Sequence, residues 1–287
     1  MRKLLLLSMF CPVVVLSQQR FHVTLFGGLS NYAGDLQDHR FTLQQSNFAL
    51  GAGIKYDITP NVAVRLAFNH GTIQGDDKKS KDPLLQARNL SFISRINEGS
   101  LLFEYTPLNL EDHAISPFIF GGLAVFHFNP YAYDSSGNKV YLKPLSTEGQ
   151  GIDPDRKPYN LTQFAIPVGV GVKFRINDNT VLAYEVSVRK TFTDYLDDVS
   201  STYYDQATLA AARGQKAVEM AYRGDELKNG NPNYPDNGVI RGGSKYKDWY
   251  YLTGFTLYIG IGGGNNGGPF SRGSHGGRNQ LGCPRVL

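Results

Sequence analysis

The feature that most restricts the fold of this chain is a strict alternation of apolar with small or charged residues. The clearest case covers residues 164–176, where Phe164, Val168 and Phe174 share one parity while Lys173 and Arg175 share the other. Because successive side chains of a strand point to opposite faces, this segment has one apolar face and one polar or small face. About eight segments of this kind are predicted, at residues 20–29, 46–58, 62–72, 96–105, 117–129, 164–176, 182–189 and 248–261.

The connections between these segments are short and long in alternation, which is typical of a barrel closed in a membrane. We therefore predict an all-β fold, a small antiparallel transmembrane β-barrel of about eight strands with long extracellular loops and both termini periplasmic. The 32 Gly, 17 Tyr and 17 Phe agree with such a barrel, which uses glycine in tight interiors and aromatic rings at the membrane interfaces. Alanines within residues 204–222 predict a short helix in the longest loop. On the 117–129 strand, which is apolar on both faces, the phenylalanine parity is expected to be the stronger apolar side.

The two ends of the chain differ from the rest. Residues 1–17 have a basic start and an apolar stretch, which predicts a cleaved signal peptide. No later segment has the roughly 20 apolar residues that a spanning helix requires. We assign residues 18–261 to the outer-membrane barrel and the Gly-rich residues 262–287 to a flexible periplasmic tail. Cleavage would remove Arg2 and Lys3 and lower the formal charge from +4 to +2, so no nucleic-acid partner is expected.

An eight-stranded barrel has an interior that side chains just fill, and charges in a dry interior must pair. We therefore predict a filled lumen that contains a charge network, and a charged conduit is the alternative. The residues assigned to this network lie on the inward parity and have both signs: Lys55, Arg65, Glu104, Lys173, Glu185 and Arg189.

No motif for catalysis, metal binding or a cofactor occurs, and we expect a non-catalytic protein without a cofactor. Asp194, Asp197 and Asp198 form an acidic cluster that could hold calcium, but a solvated loop cluster is the favoured interpretation. The alternative function is a small barrel enzyme acting on surface lipid or protein. His70 with Glu98 is the pair that such an enzyme would use.

The tail carries possible contacts for a partner. Its basic residues have no acidic counterpart, and Cys283 is the one cysteine after the signal segment, so no internal disulfide is expected. The candidate contact residues are Arg272, Arg278, Cys283, Pro284 and Arg285.

Five segments resemble a known family: SNYAGDL (residues 30–36), ARNLSF (87–92), LKPLSTEGQG (142–151), FAIPVGVGVK (164–173) and RKTFTDYLDDVS (189–200). They are similar to segments of the PorG-type outer-membrane proteins of the type IX secretion system. The resemblance covers nearly the whole chain after the signal segment. It implies a multi-pass barrel in the outer membrane of a Gram-negative bacterium, surrounded by lipid. It further implies a role in protein transport, in contact with the periplasmic ring built by PorK and PorN.

Overall fold

The computed structural model of the protein describes residues 20–37, 45–245 and 247–261. Eight long strands form the barrel, and two short strands form a hairpin beside it. Their bounds are β1 Phe21–Ala33, β2 Asn47–Asp57, β3 Val62–Asp76, β4 Ser91–Tyr105, β5 Ile115–His127, β6 Tyr131–Tyr133, β7 Lys139–Tyr141, β8 Thr162–Asn177, β9 Thr180–Thr191 and β10 Trp249–Ile261.

The sheet closes on itself in an antiparallel barrel. β1 pairs with both β2 and β10, and β3 pairs with β4, so that each of the eight long strands has two neighbours. β5 pairs with β8, because the β6–β7 hairpin leaves the wall and pairs only with the far end of β4. The predicted all-β, eight-stranded antiparallel barrel is confirmed.

The outer face of the wall is an apolar band. Leu66 is 60% exposed, Leu123 68% and Phe164 68%, although each would be costly to leave in water. On β5 the band runs from Ile115 to Val125, about 26 Å along the membrane normal for strands tilted by about 40°. That height matches the roughly 25 Å apolar band of outer-membrane barrels. The protein is therefore a small barrel of the outer-membrane type.

The phenylalanine parity of the fifth strand, expected to be its stronger apolar side, faces inwards and not towards lipid. Phe118 and Phe120 point into the lumen, as do Phe126 and Phe128 towards its long-loop end, while Ile119, Leu123 and Val125 face outwards. The neighbouring strand decides this, because Phe120 lies opposite Gly169 and Phe118 opposite Gly171. A Cβ on Gly169 would lie 2.3 Å from the ring of Phe120, so the two glycines provide the space that these rings occupy.

The two ends of the barrel differ in size. Short connections at residues 58–61, 106–114 and 178–179 lie at the end where residues 20 and 261 are also found. The long connections lie at the opposite end. We call residues 77–90, 128–161 and 192–245, which fold together there, the cap. A buried apolar cluster joins the cap to the strand ends, with Phe92 and Phe126 from the wall and Leu196 and Met220 from the cap.

Three short α-helices lie in the cap: α1 Pro83–Arg88, α2 Gln206–Arg213 and α3 Gln215–Ala221. Where the sequence predicts one helix, the structure has α2 and α3, separated at Gly214. Gly214 has a φ of 86°, which favours glycine. The Asp205 carboxylate caps α2 by accepting a hydrogen bond from Thr208 N at 2.8 Å. No helix in the described part of the chain is long and apolar enough to cross a bilayer. The predicted signal peptide and the predicted tail, including all five candidate contact residues, lie outside the described residues.

Candidate functional site in the lumen and the cap

Four of the six predicted lumen charges meet in one network near the short-turn end. Arg65 Nε lies 2.8 Å from Glu104 Oε1, in an ion pair that lacks the angles of a hydrogen bond. Arg65 Nη1 donates to Glu185 Oε2 at 3.1 Å, and Lys173 Nζ donates to Glu104 Oε2 at 2.8 Å. All four side chains are almost inaccessible to solvent. The tyrosine hydroxyl of Tyr258 bridges the network, accepting from Arg65 at 3.2 Å and donating to Glu104 at 3.3 Å.

The other two predicted charges pair elsewhere. Lys55 Nζ lies 2.7 Å from Asp57 Oδ1, close to the short-turn mouth. Arg189 donates from Nε to Glu98 Oε2 at 2.9 Å, nearer the cap. The sequence reasoning did not include Glu98 in the lumen, although it shares the parity of Leu102 and Glu104 and could have been found by extending that alternation.

The pair of His70 and Glu98 does not exist in this fold. His70 lies opposite Asn97 in the β3–β4 register, and its Nδ1 is 2.8 Å from Asn97 Oδ1 on the outer face. Glu98 points into the lumen, where it accepts hydrogen bonds from Asn69, Arg189 and Tyr250. The wall of the barrel separates the two side chains, so they cannot act together in acid–base chemistry.

The lumen between these networks is filled. Leu102, Phe118, Phe120 and Tyr258 pack against each other across the interior. The cavity beside Arg65, Glu185 and Arg189 measures about 10 Å³, which is at most the space for one water molecule. Side chains and ion pairs therefore leave no continuous aqueous path through this section of the barrel.

The centre of the cap is a buried ion pair between Glu148 and Arg241. Arg241 Nη1 donates to Glu148 Oε1 at 3.0 Å, and that oxygen also accepts from Ser200 N at 2.9 Å. Glu148 Oε2 accepts from the amide and the hydroxyl of Ser201, at 3.0 and 2.7 Å. Because a buried charge stabilises a structure only when its hydrogen-bonding capacity is used, this pair holds two loop segments in one arrangement.

The acidic cluster of the sequence analysis is buried, and the interpretation as a solvated loop cluster is wrong. Asp194, Asp197 and Asp198 are 3%, 1% and 0% exposed. Their carboxylates accept hydrogen bonds from different partners: Ser200 Oγ to Asp194 at 2.7 Å, Tyr32 Oη to Asp197 at 2.6 Å, and Thr147 Oγ1 and Tyr159 Oη to Asp198 at 2.6 and 2.7 Å. Among the described residues, no three acidic, histidine or cysteine side chains come together in an arrangement that could hold a metal ion.

These buried carboxyls retain protons more strongly than ordinary ones. Burial raises the pKa of Asp194 to about 6, and burial likewise raises the pKa of Asp198 to about 6. Tyr32 Oη lies 2.6 Å from Asp197 Oδ2 and 3.1 Å from Asp248 Oδ1. A hydroxyl has one proton to donate, so the second contact is a hydrogen bond only if a carboxyl is protonated. Burial, with each carboxylate close to other acids, raises the pKa of both Asp197 and Asp248 well above the usual range.

The segments that carry the family resemblance meet in this region. SNYAGDL contributes Tyr32, LKPLSTEGQG contributes Glu148, and RKTFTDYLDDVS contributes Asp197. ARNLSF contributes Arg88, which forms a two-point ion pair with Asp77 at 2.8 Å for each contact. The fifth segment, FAIPVGVGVK, lies in β8 and supplies the lumen glycines and Lys173. Long-range folding therefore brings four separate sequence segments, from strand ends and loops, into one buried network.

Comparison with known proteins assigns the chain to a family. The family described as "Domain of unknown function (DUF6089)" matches residues 1–213. The chain belongs to the DUF6089 family. No curated protein matches the sequence.

Solved structures similar to this DUF6089 protein include Neisserial surface protein A, with 7% identity, a TM-score of 0.42 and coverage of 84% of this chain and 97% of the other. Ail, the attachment invasion locus protein of Yersinia pestis, has 8% identity, a TM-score of 0.40 and coverage of 84% and 97%. OprG from Pseudomonas aeruginosa has 12% identity, a TM-score of 0.40 and coverage of 85% and 98%.

The described residues of the DUF6089 barrel leave an open mouth at the short-turn end. A cavity of about 400 Å³ lies between the short turns and the lumen network. Its lining includes five basic side chains and three acidic ones: Arg20, His22, Lys55, Lys173 and Arg175 against Asp57, Glu111 and Asp178. The open mouth and the filled section behind it make this end a concave surface rather than a channel entrance.

Proposed function

We propose that this protein is a non-catalytic outer-membrane component of the type IX protein secretion machinery. In this proposal the short-turn end and both termini lie in the periplasm, where the barrel anchors or contacts a PorK/PorN-like ring. The cap then lies outside the cell. The single observation that carries the proposal is the filled lumen, because a barrel without a path for solutes acts through its two ends.

The resemblance of five segments to PorG-type proteins supports the secretion role. Four of these segments build the buried network of the cap, which is the arrangement of a scaffold with fixed loops. The enzymatic alternative would use His70 with Glu98, but these two side chains face opposite sides of the wall. The basic residues of the tail and the concave short-turn mouth supply contact surfaces on the periplasmic side.

The test is recovery of ring proteins with the affinity-tagged full-length protein from membranes of the native host. We expect PorK- and PorN-like proteins to co-purify, and deletion of residues 267–287 to reduce their recovery while the barrel remains in the membrane. Absence of ring proteins from the full-length preparation would overturn the proposal. Full recovery after the deletion would overturn the role of the tail.

A charge-matched comparison separates specific contact from general electrostatics. The tail variant replaces three arginines by glutamine, and the control replaces three exposed cap lysines: Arg272, Arg278 and Arg285 against Lys78, Lys157 and Lys228. Both lose three charges. We expect only the tail variant to lower recovery, and an equal loss in both would contradict the assignment of the contact to the periplasmic side.

A further inference from the structure

The wall above the apolar band carries a basic surface on one side of the barrel. The registers of β3, β4 and β5 place His70, Asn97 and His127 in one row directly above the band. Two residues further along the strands, Thr72 lies opposite Arg95. His70 and Thr72 share the parity of Leu66 and Phe68 on β3. The row therefore lies on the outer face of the wall, which contacts lipid at the level of the apolar band.

The β6–β7 hairpin extends the same face upwards. Tyr131 pairs with Ile93, which shares the outward parity of Arg95, and Tyr131 pairs with Tyr141 across the hairpin. The opposite face of the hairpin carries Ala132 and Val140, which pack on the core of the cap. The outward face of the hairpin therefore has three tyrosines and one lysine: Tyr131, Tyr133, Tyr141 and Lys139.

The cation and the rings of the hairpin are held together. Lys139 Nζ lies 3.8 Å from the ring centroid of Tyr131 and 4.7 Å from that of Tyr141. Tyr133 is 47% exposed and Tyr141 is 44% exposed, so both rings present an edge or face to the surroundings. Arg95 and Lys139 are exposed, and neither forms an ion pair with a carboxylate in the described residues.

We propose that this face, from the His70–Asn97–His127 row to the tyrosine hairpin, binds the phosphorylated sugar headgroup of a glycolipid in the leaflet at the long-loop end. The position favours a lipid, because the surface begins where the apolar band ends and extends about 10 Å along the membrane normal over four residues of β4, from Asn97 to Ile93, for strands tilted by about 40°. The charge favours an anion, since Arg95 and Lys139 are cations of the type that binds phosphate and have no carboxylate partner in the part of the chain that the structure describes. The exposed tyrosine rings provide the flat amphipathic contacts typical of the membrane interface, against which a sugar ring can lie.

The test uses the full chain in phosphatidylcholine nanodiscs containing 5% lipid A, the diphosphorylated glucosamine disaccharide lipid, or 5% phosphatidylglycerol. Native mass spectrometry after release from the disc counts the retained lipids. We expect lipid A to make up a larger fraction of the lipids retained by the wild-type protein than of the lipids in the disc. Each basic side chain near an anionic surface changes binding about fivefold, so the double variant Arg95→Gln/Lys139→Gln is expected to retain lipid A roughly 25-fold less.

Two controls make the result decisive. The double variant Lys157→Gln/Lys228→Gln loses the same charge from exposed loop positions, and we expect it to retain lipid A as the wild type does. Tyr133→Ser/Tyr141→Ser should lower retention of lipid A but not of phosphatidylglycerol. No enrichment of lipid A by the wild type, or equal losses in the two charge variants, would overturn the proposal. If the wild type enriches phosphatidylglycerol as strongly as lipid A, and the tyrosine substitutions change the retention of neither lipid, the proposed contact with the sugar is overturned. These outcomes do not depend on whether ring proteins co-purify.

Discussion

Arg65 is the side chain on which the filled lumen depends most. It contacts two carboxylates, with Glu104 at 2.8 Å and Glu185 at 3.1 Å, and it lies 5.1 Å from the ring centroid of Phe120. In Arg65→Met, Glu104 keeps Lys173 as a partner, whereas Glu185 loses the one cation within ion-pair distance in the described residues. The variant therefore leaves an unpaired charge in a space that admits almost no water.

The expected cost follows from that uncompensated charge. Removal of one partner from a buried ion pair destabilises a protein by about 3–5 kcal/mol, and the same range is expected for Arg65→Met. Replacing both partners by neutral side chains removes the unpaired charge, so Arg65→Met/Glu185→Gln should regain most of this loss. Lys55→Met is the control, since Lys55 pairs with the partly hydrated Asp57 near the mouth and should cost about 1 kcal/mol or less.

The assay is urea unfolding of the protein in lipid vesicles, followed by the fluorescence of Trp249, the single tryptophan of the chain. The free energy of unfolding is obtained by linear extrapolation for each variant. A loss below about 1 kcal/mol for Arg65→Met, or a double variant no more stable than the single one, would refute the argument that the ion pairs sit in a dry, filled lumen.

Three further predictions concern the cap and the wall. The raised pKa of Asp194, about 6 in the folded cap against about 3.9 in an unfolded chain, means that the folded cap binds the proton more tightly. The contribution of Asp194 to cap stability should therefore be greatest below pH 4 and be lost as the pH rises through 6. Asp194→Asn should reduce the total change in cap stability over this pH range by about 2–3 kcal/mol, measured by hydrogen exchange corrected for intrinsic rates. The same total change in the variant and the wild type would refute this account. Glu148→Gln should loosen the cap by about 3 kcal/mol, so that protease cuts the cap at lower concentration while the barrel fragment survives; equal resistance would contradict it. Gly122→Leu should prevent formation of the barrel, because its Cβ would lie 1.9 Å from the carbonyl oxygen of Leu101, whereas Gly99→Ala, with open space around its Cβ, should fold. Folding of both variants is measured by the difference in electrophoretic mobility between heated and unheated protein. A folded Gly122→Leu variant would show that β4 and β5 are not as closely spaced at this position as the structure has them.

The alternation of side chains predicted most of the wall correctly, because the period of two is a local property of a strand. The assignments of Leu66, Phe68 and Arg65 to opposite faces needed no knowledge of neighbours. The strand ends were less accurate. β3 extends to Asp76 and β4 begins at Ser91, beyond the predicted segments, because these residues pair with each other above the membrane, where polar side chains replace the apolar pattern.

The fifth strand shows the limit of local pattern. Both of its faces are apolar, so the alternation alone could not decide which face turned inwards. The decision came from β8, where Gly169 and Gly171 leave room for Phe120 and Phe118. A glycine on one strand therefore determined the orientation of a phenylalanine on another.

The sequence by itself determined that the chain forms a closed barrel with an apolar exterior and a charged interior, because side-chain alternation over eight segments, joined by short and long connections in turn, permits few other solutions. The tertiary structure alone decided which charges meet. It separated His70 from Glu98, paired Glu98 with Arg189, and buried Asp194 and its acidic neighbours under the cap. The physical reason is that parity is set within a strand, whereas burial and ion pairing depend on residues that lie far apart in the chain, as Glu98 and Arg189 do at a separation of 91 positions.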